Sequence, residues 1–227
     1  MTRFIPHPDV LRRVPPLAWL TDEQAAKVLP SIQYRSYPSR TMILRAGDCA
    51  DGLHILLAGS VLLLHETSAG REFCAATLGP NEFFGELGLF DHGPYSASVQ
   101  ARTSCEVAFV PAAIAVECLE SNTRAAMCML RKLVTRLNQA HGTMAKLALL
   151  TVGQRVAHLI LENSEDVGGE CVVSVGSEQM ASMAGASREM VSRVTRTLID
   201  TRIVQRHKRK LVVIDREALN ALAMEAA

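Results

Sequence analysis

The sequence predicts an α+β protein in three consecutive parts: a roll of short strands, one long helix, and a small winged helix-turn-helix unit. Three observations carry this. Between about residues 30 and 112, β-rich runs such as Ser60-Val61-Leu62-Leu63-Leu64-His65 and Glu106-Val107-Ala108-Phe109-Val110 alternate with turn formers at Gly47-Asp48, Ala50-Asp51-Gly52 and Ala58-Gly59. From Ala112 the apolar residues recur at helical spacing instead. Beyond residue 150, a short helix, a glycine-containing turn and a second helix precede two strands around basic residues.

In chain order, Thr21 followed by Asp22 and Glu23 is an N-cap for a first short helix. The many short strands that follow suit a sandwich or jelly roll. Within them stands Phe83-Phe84-Gly85-Glu86-Leu87-Gly88-Leu89-Phe90, and shortly after it Pro94-Tyr95-Ser96-Ala97. Glycines let a backbone turn tightly and offer amide N–H groups to an anion. A carboxylate beside them repels that anion but accepts hydrogen bonds from sugar hydroxyls, so the pair suggests a nucleotide.

In the helical part, Ala126, Leu130, Leu133, Leu137, Ala140, Met144 and Leu147 alternate at spacings of four and three. That is an a/d seam about 22 residues or 33 Å long, the pattern of a two-fold dimer helix. Thr151-Val152-Gly153 breaks it and reads as a hinge. Val156, Leu159, Ile160 and Leu161 then begin a second core, Gly168-Gly169 makes a turn, and Cys171–Val175 reads as a strand. Expected boundaries are therefore 1–120, 121–150 and 151–227.

Ser177 caps the next helix through Ala184, Gly185-Ala186-Ser187 turns, and a second helix runs on from Ser187 to Asp200. Met180, Ala184, Met190, Val191, Val194 and Leu198 form the expected inner face. Arg188, Glu189 and Arg193 lie near the second helix's N-terminus, the end that enters a major groove. Arginine suits guanine O6 and N7, and glutamate accepts from the cytosine amino group. Ser177 and Gln179 are placed to hold phosphates. Residues 203–214 read as two strands around a basic turn. Eight Lys and Arg residues stand between Arg188 and Lys210 against Glu189 and Asp200, a local footprint for a polyanion hidden inside a net charge of +1.

Composition excludes several alternatives. No run of about 18 uncharged apolar residues is present, so no membrane span is expected. The first residues lack the apolar centre of an export signal, which leaves the cytoplasm as the expected location. The six cysteines are scattered, without the short spacing that zinc or iron–sulfur clusters need, so no metal is expected. Seven dispersed histidines show no nucleophile–base pairing, and no enzymatic activity is expected.

Ser187-Arg188-Glu189-Met190-Val191-Ser192-Arg193 resembles the Ser-Arg-Glu-x-Val-x-Arg recognition helix of the CRP/FNR superfamily. The Phe83–Ala97 stretch resembles the phosphate-binding cassette of its cyclic AMP receptor protein family. Tyr37-Pro38-Ser39-Arg40, Gly59-Ser60-Val61 and Leu147-Ala148-Leu149-Leu150-Thr151-Val152 are similar to framework stretches, so the resemblance spans nearly the whole chain. It implies a cyclic-nucleotide-binding-like effector domain, a dimerisation helix and a DNA-binding domain. It further implies a palindromic DNA site resembling TGTGA–TCACA, a second copy of the chain and RNA polymerase as partners.

On that resemblance Gly85, Glu86, Leu87, Ser96 and Ala97 match the nucleotide frame, with Glu86 on a ribose hydroxyl and Ser96 on phosphate. Tyr95 stands where cyclic AMP binders carry arginine, Arg136 aligns with a family arginine near the ligand, and Ala140 and His141 replace two adenine-gripping hydroxyl residues. A different nucleotide such as cyclic di-GMP, stacking on Tyr95 and using Arg102, Arg136 or His141, is the first expectation. Weak cyclic AMP binding and a vestigial pocket on a ligand-independent regulator are the alternatives. A nucleotide-sensing scaffold acting by protein contacts is the reading from another class.

Overall fold

The computed structural model describes residues 17–224 other than 69, 71, 92, 169, 174, 208 and 209. Gly169, Ser174, Lys208 and Arg209, which fall in the expected turn, strand and wing, lie outside the described residues. Packing divides the chain into two units. The first runs to His65 and resumes over Ala75–Asn138; the second comprises Glu66–Cys74 and the chain from Gln139 onward. The division falls inside the long helix, between Asn138 and Gln139.

The first unit opens with α1 (Asp22–Val28), where the Thr21 side chain accepts from Gln24 N and the Gln24 side chain returns to the Thr21 backbone. This capping box satisfies two otherwise orphaned donors. Eight strands follow: β1 (Gln33–Tyr37), β2 (Met42–Leu44), β3 (Gly52–Ala58), β4 (Val61–Glu66), β5 (Glu72–Leu78), β6 (Phe83–Phe84), β7 (Ser98–Ala101) and β8 (Cys105–Pro111). They form two sheets, ordered β1-β8-β3-β6 and β2-β7-β4-β5. β3 runs antiparallel to β8, with Leu53 opposite Val110 and Leu56 opposite Val107.

The two sheets enclose a core of Leu56, Val61, Phe84, Tyr95, Val99 and Val107. The opposite face of β3 contributes Leu53 and Ile55 to a second core under α1, α3 (Ala112–Glu120) and the start of α4 (Thr123–Leu149). β3 is thus buried on both faces, which is why it reads as a continuous apolar run.

α4 corrects the expected seam. Ala125 and Met129 are buried in the second core and Leu133, one further turn along the same stripe, packs against it. Leu133 therefore belongs to the roll. The exposed apolar row is Met127, Leu130, Val134, Leu137 and Met144, with Leu130, Leu137 and Met144 each more than half exposed. Ala140 is exposed as well, while Leu147 is half-buried.

In the second unit α5 (Val152–Glu162) begins where a hinge was expected. Thr151 accepts from Gln154 N, and Gln154 Oε1 accepts from Thr151 N at 2.7 Å, a second capping box. Then come β9 (Ser164–Val167), β10 (Glu170–Val173), α6 (Ser177–Ala184), α7 (Arg188–Asp200), β11 (Val204–His207), β12 (Lys210–Val213) and α8 (Arg216–Met224). The sheet order is β11-β12-β10-β9. Val156, Ile160, Met180, Val191, Leu198 and Leu219 fill the core.

Two local expectations change. The α6 cap is Gly176, without a side-chain bond, so Ser177 is the first helical residue rather than the cap. Met190 is 45% exposed, outside the inner face to which it was assigned.

Candidate nucleotide cassette and nucleic-acid interface

The cassette is built from β6, Gly85 and the six-residue helix α2 (Glu86–Asp91). Gly85 has φ +88°, and a Cβ there would lie 3.0 Å from the Gly52 carbonyl oxygen, 3.1 Å from Tyr95 Cε1 and 3.2 Å from His54 Nδ1. Only glycine fits that conformation against those neighbours. The turn delivers Glu86 into the interior, where it is 5% exposed.

Arg136 on α4 meets it there. Its Nη1 donates to Glu86 Oε1 at 2.8 Å and its Nη2 to the Phe83 carbonyl at 2.5 Å. The guanidinium carbon sits 4.6 Å from the centroid of the Phe83 ring. Burial pushes the Glu86 carboxyl up from its ordinary value, and the Arg136 charge opposes that shift. Arg136 Nε is buried and has no hydrogen-bond partner among the described residues. One turn earlier on α4, Lys132 pairs with Glu82 at 2.5 Å. Two cations four residues apart thus hold two carboxylates four residues apart.

Tyr95 stands differently from the sequence expectation. It is 5% exposed and part of the core between the sheets. Its hydroxyl donates to Asp51 Oδ1 at 2.5 Å and accepts from the Asp51 amide at 3.2 Å. Burial, then the bond to Asp51, raises the phenol's pKa. The ring that was expected to stack on a base is used as packing. Ser96 and Leu87 are exposed and Ala97 half-buried, while His141 is exposed on α4 in the second unit.

Beside Tyr95 lies a group that periodicity did not single out. His54 on β3 is 1% exposed, with its ring 5.1 Å from Phe84, 5.0 Å from Phe109 and 6.2 Å from Tyr95 between centroids. Burial is the main cause that lowers its pKa to about 4. A histidine inside an otherwise apolar strand was the available signal.

In the second unit, Ser187 caps α7 by accepting from Met190 N at 3.3 Å. Gly185 closes α6 at φ +59°, and a Cβ there would meet Leu147 Cδ2 at 2.9 Å. Arg188, Glu189, Ser192, Arg193 and Arg196 are exposed, while Val191, Thr195 and Leu198 of α7 are buried. The predicted reading residues Arg188, Glu189 and Arg193 are thus all open to solvent on one helix. Ser177 is exposed, but Gln179 is half-buried with its amide nitrogen enclosed and unpartnered among the described residues.

Arg188 pairs with Glu178 on α6, a partner the sequence reading missed. Arg155 ties the unit together, donating from Nε to the Ala184 carbonyl at 2.9 Å and from Nη1 to those of Leu147 and Leu150 at 3.1 and 2.8 Å.

A roll with a glycine-turned carboxylate cassette and a winged helix-turn-helix with exposed arginines together define a DNA-binding regulator with a nucleotide-type sensor domain. Comparison with known proteins agrees. The cyclic nucleotide-binding domain family matches residues 34–122, and the Crp-like helix-turn-helix domain family matches residues 154–222. The chain is 30% identical over 196 residues to the cAMP-activated global transcriptional regulator Vfr of Pseudomonas aeruginosa, covering 82% of this chain and 92% of that one. It is 27% identical over 211 residues to the cAMP-activated regulator CRP of Haemophilus influenzae, covering 90% and 91%.

Among solved structures, the c-di-GMP responsive global regulator CLP of Xanthomonas campestris superimposes with a TM-score of 0.76 at 25% identity, covering 85% of this chain and 99% of that one. A crp/fnr-family regulator from Eubacterium rectale gives 0.82 at 18% identity, covering 94% and 99%, and supports the fold. The chain belongs to the CRP/FNR family of transcription regulators.

Proposed function

We propose that this regulator works as a homodimer on a palindromic operator and is controlled by a nucleotide second messenger other than cyclic AMP, cyclic di-GMP foremost. Arg136 carries the reading. It is the cation at the cassette, it lies over an aromatic ring, and its buried Nε is unmet among the described residues. Released from Glu86 and the Phe83 carbonyl, its planar fork matches the O6/N7 edge of guanine. Tyr95 offers no charge where cyclic AMP binders carry one, and its hydroxyl is committed to Asp51. The likeness to CLP, described as responsive to c-di-GMP, points the same way.

A ligand that drew Glu86 or Arg136 into new bonds would change how α2 is held to α4. Differential affinity for two settings of that contact would shift the population of DNA-competent dimers. The exposed Leu130, Val134, Leu137 and Met144 row supports dimerisation along α4. RNA polymerase contact, a cytoplasmic location and the absence of a catalytic step belong to the same proposal, supported by the family.

A second reading has its own observation. Glu86 with Arg136 and Tyr95 with Asp51 already satisfy one another, as they would in a vestigial pocket on a ligand-independent regulator. Calorimetry of the full chain against cyclic di-GMP, cyclic AMP and cyclic GMP separates the two. Cyclic di-GMP should bind, and Arg136→Met should weaken it about ten- to a hundredfold, the loss of one charge-assisted contact. Tight cyclic AMP binding would overturn the assignment, and heat from none of the three would establish the second reading.

A further inference from the structure

Arg188 occupies the first position of α7, where a base-reading arginine belongs, and it is not idle. Its Nη2 is bonded to Glu178 Oε1 across the helix-turn-helix, ten residues back in the chain. Both side chains are more than two-thirds exposed, so nothing in the core forces them together. The neighbouring reading residues Glu189 and Arg193 are likewise exposed.

We infer that Glu178 is a specificity-determining residue: it holds Arg188 by an exchangeable carboxylate bond and sets what a DNA site must offer to capture that arginine. A guanidinium on a carboxylate already has a charged acceptor, so a single phosphate oxygen gains little by displacing it. Guanine presents O6 and N7 side by side and offers two acceptors where Glu178 supplies one. The exchange is therefore favoured at a guanine over the backbone or a base without that pair of acceptors. A carboxylate at the start of α6 also stands on the face that meets DNA, where it opposes phosphates without regard to sequence.

The consequence is a trade. Glu178 lowers affinity for all DNA, and lowers it most for sequences lacking guanine at the position facing Arg188. Glutamine at 178 keeps size and hydrogen bonding but removes the charge, so Arg188 becomes free to settle on phosphate.

The inference rests on DNA binding through α7, and its test keeps the two separable. Full-length wild type, Glu178→Gln, Arg188→Ala and the double variant are titrated by fluorescence anisotropy. The duplexes are a TGTGA–TCACA palindrome, the same palindrome with its guanines replaced, and a scrambled sequence, over a range of salt. Glu178→Gln should tighten the scrambled duplex about tenfold and the palindrome about threefold. Its salt slope on scrambled DNA should steepen by about 0.9 for each additional phosphate contact.

In the Arg188→Ala background the same substitution should no longer change the ratio between duplexes. An unchanged ratio for Glu178→Gln, or a change that persists without Arg188, would overturn the inference. Wild type that prefers no duplex would instead count against DNA reading itself. Thermal melts of each variant confirm that the fold is retained at this exposed position.

Discussion

At the scale of single residues, the roll buries titratable groups whose surroundings set their charge. His54, packed among the rings of Phe84, Phe109 and Tyr95, is the clearest case. Burial disfavours its imidazolium and lowers its pKa to about 4, against 6.5 in the unfolded chain. Above pH 6.5 both states are neutral at this position and stability is full. As pH falls from about 6.5 to about 4 the unfolded chain takes up a proton that the folded chain does not, and roughly 3 kcal/mol is lost. Urea titrations across that window should show the loss, and His54→Phe, stacked on the same rings, should flatten it. Equal slopes in both proteins would place the effect elsewhere.

Arg136 is tested by the same method. Arg136→Ala leaves the Glu86 carboxylate buried without its cation and should cost about 3–5 kcal/mol. The pair Glu86→Gln with Arg136→Met should recover most of it. If the single variant unfolds at the wild-type denaturant midpoint, the ion pair has no structural part.

At the scale of elements, periodicity and caps were legible because they are local. Thr21 announces its helix and accepts from a backbone amide three residues on, whereas the cap read at Ser177 belongs to Gly176 and Ser187 caps a helix it was read as part of. The recognition helix and the wing strands were legible for the same reason. The orientation of α4 was not. A spacing of alternating fours and threes admits either 133 or 134 as a seam position, and only packing against the core that includes Ala125 and Met129 assigns Leu133 to the roll.

That difference is measurable. Leu130→Glu and Leu137→Glu should give folded monomers by sedimentation, while Leu133→Glu should unfold the roll. A folded monomer from Leu133→Glu, or intact dimers from Leu130→Glu, would contradict the assignment of faces.

Contacts between distant positions were the least legible part of the site. Tyr95 and Asp51 are 44 residues apart, Arg136 and Glu86 are 50 apart, and no short-range pattern joins them. The sequence marked Tyr95 as the place where this chain departs from cyclic AMP binders. It did not show that the ring is core and its hydroxyl spoken for. Gly85 was read correctly as a tight turn, and the structure adds that its missing Cβ makes room for His54 and Tyr95.

For the whole molecule, a sensor roll and a winged helix-turn-helix are joined through one 27-residue helix that carries Arg136 on one side and an exposed apolar row on another. On the proposed function, the nucleotide contact and the dimer seam share this helix, and α7 reads the DNA. The most direct test of this account is the affinity of the full-length protein for a palindromic operator duplex, measured by anisotropy with no nucleotide, with cyclic AMP and with cyclic di-GMP. The account predicts that cyclic di-GMP changes operator affinity at least fivefold while cyclic AMP leaves it unchanged, a coupling of about 1 kcal/mol or more. Identical affinity in all three conditions, or a response to cyclic AMP alone, would contradict it.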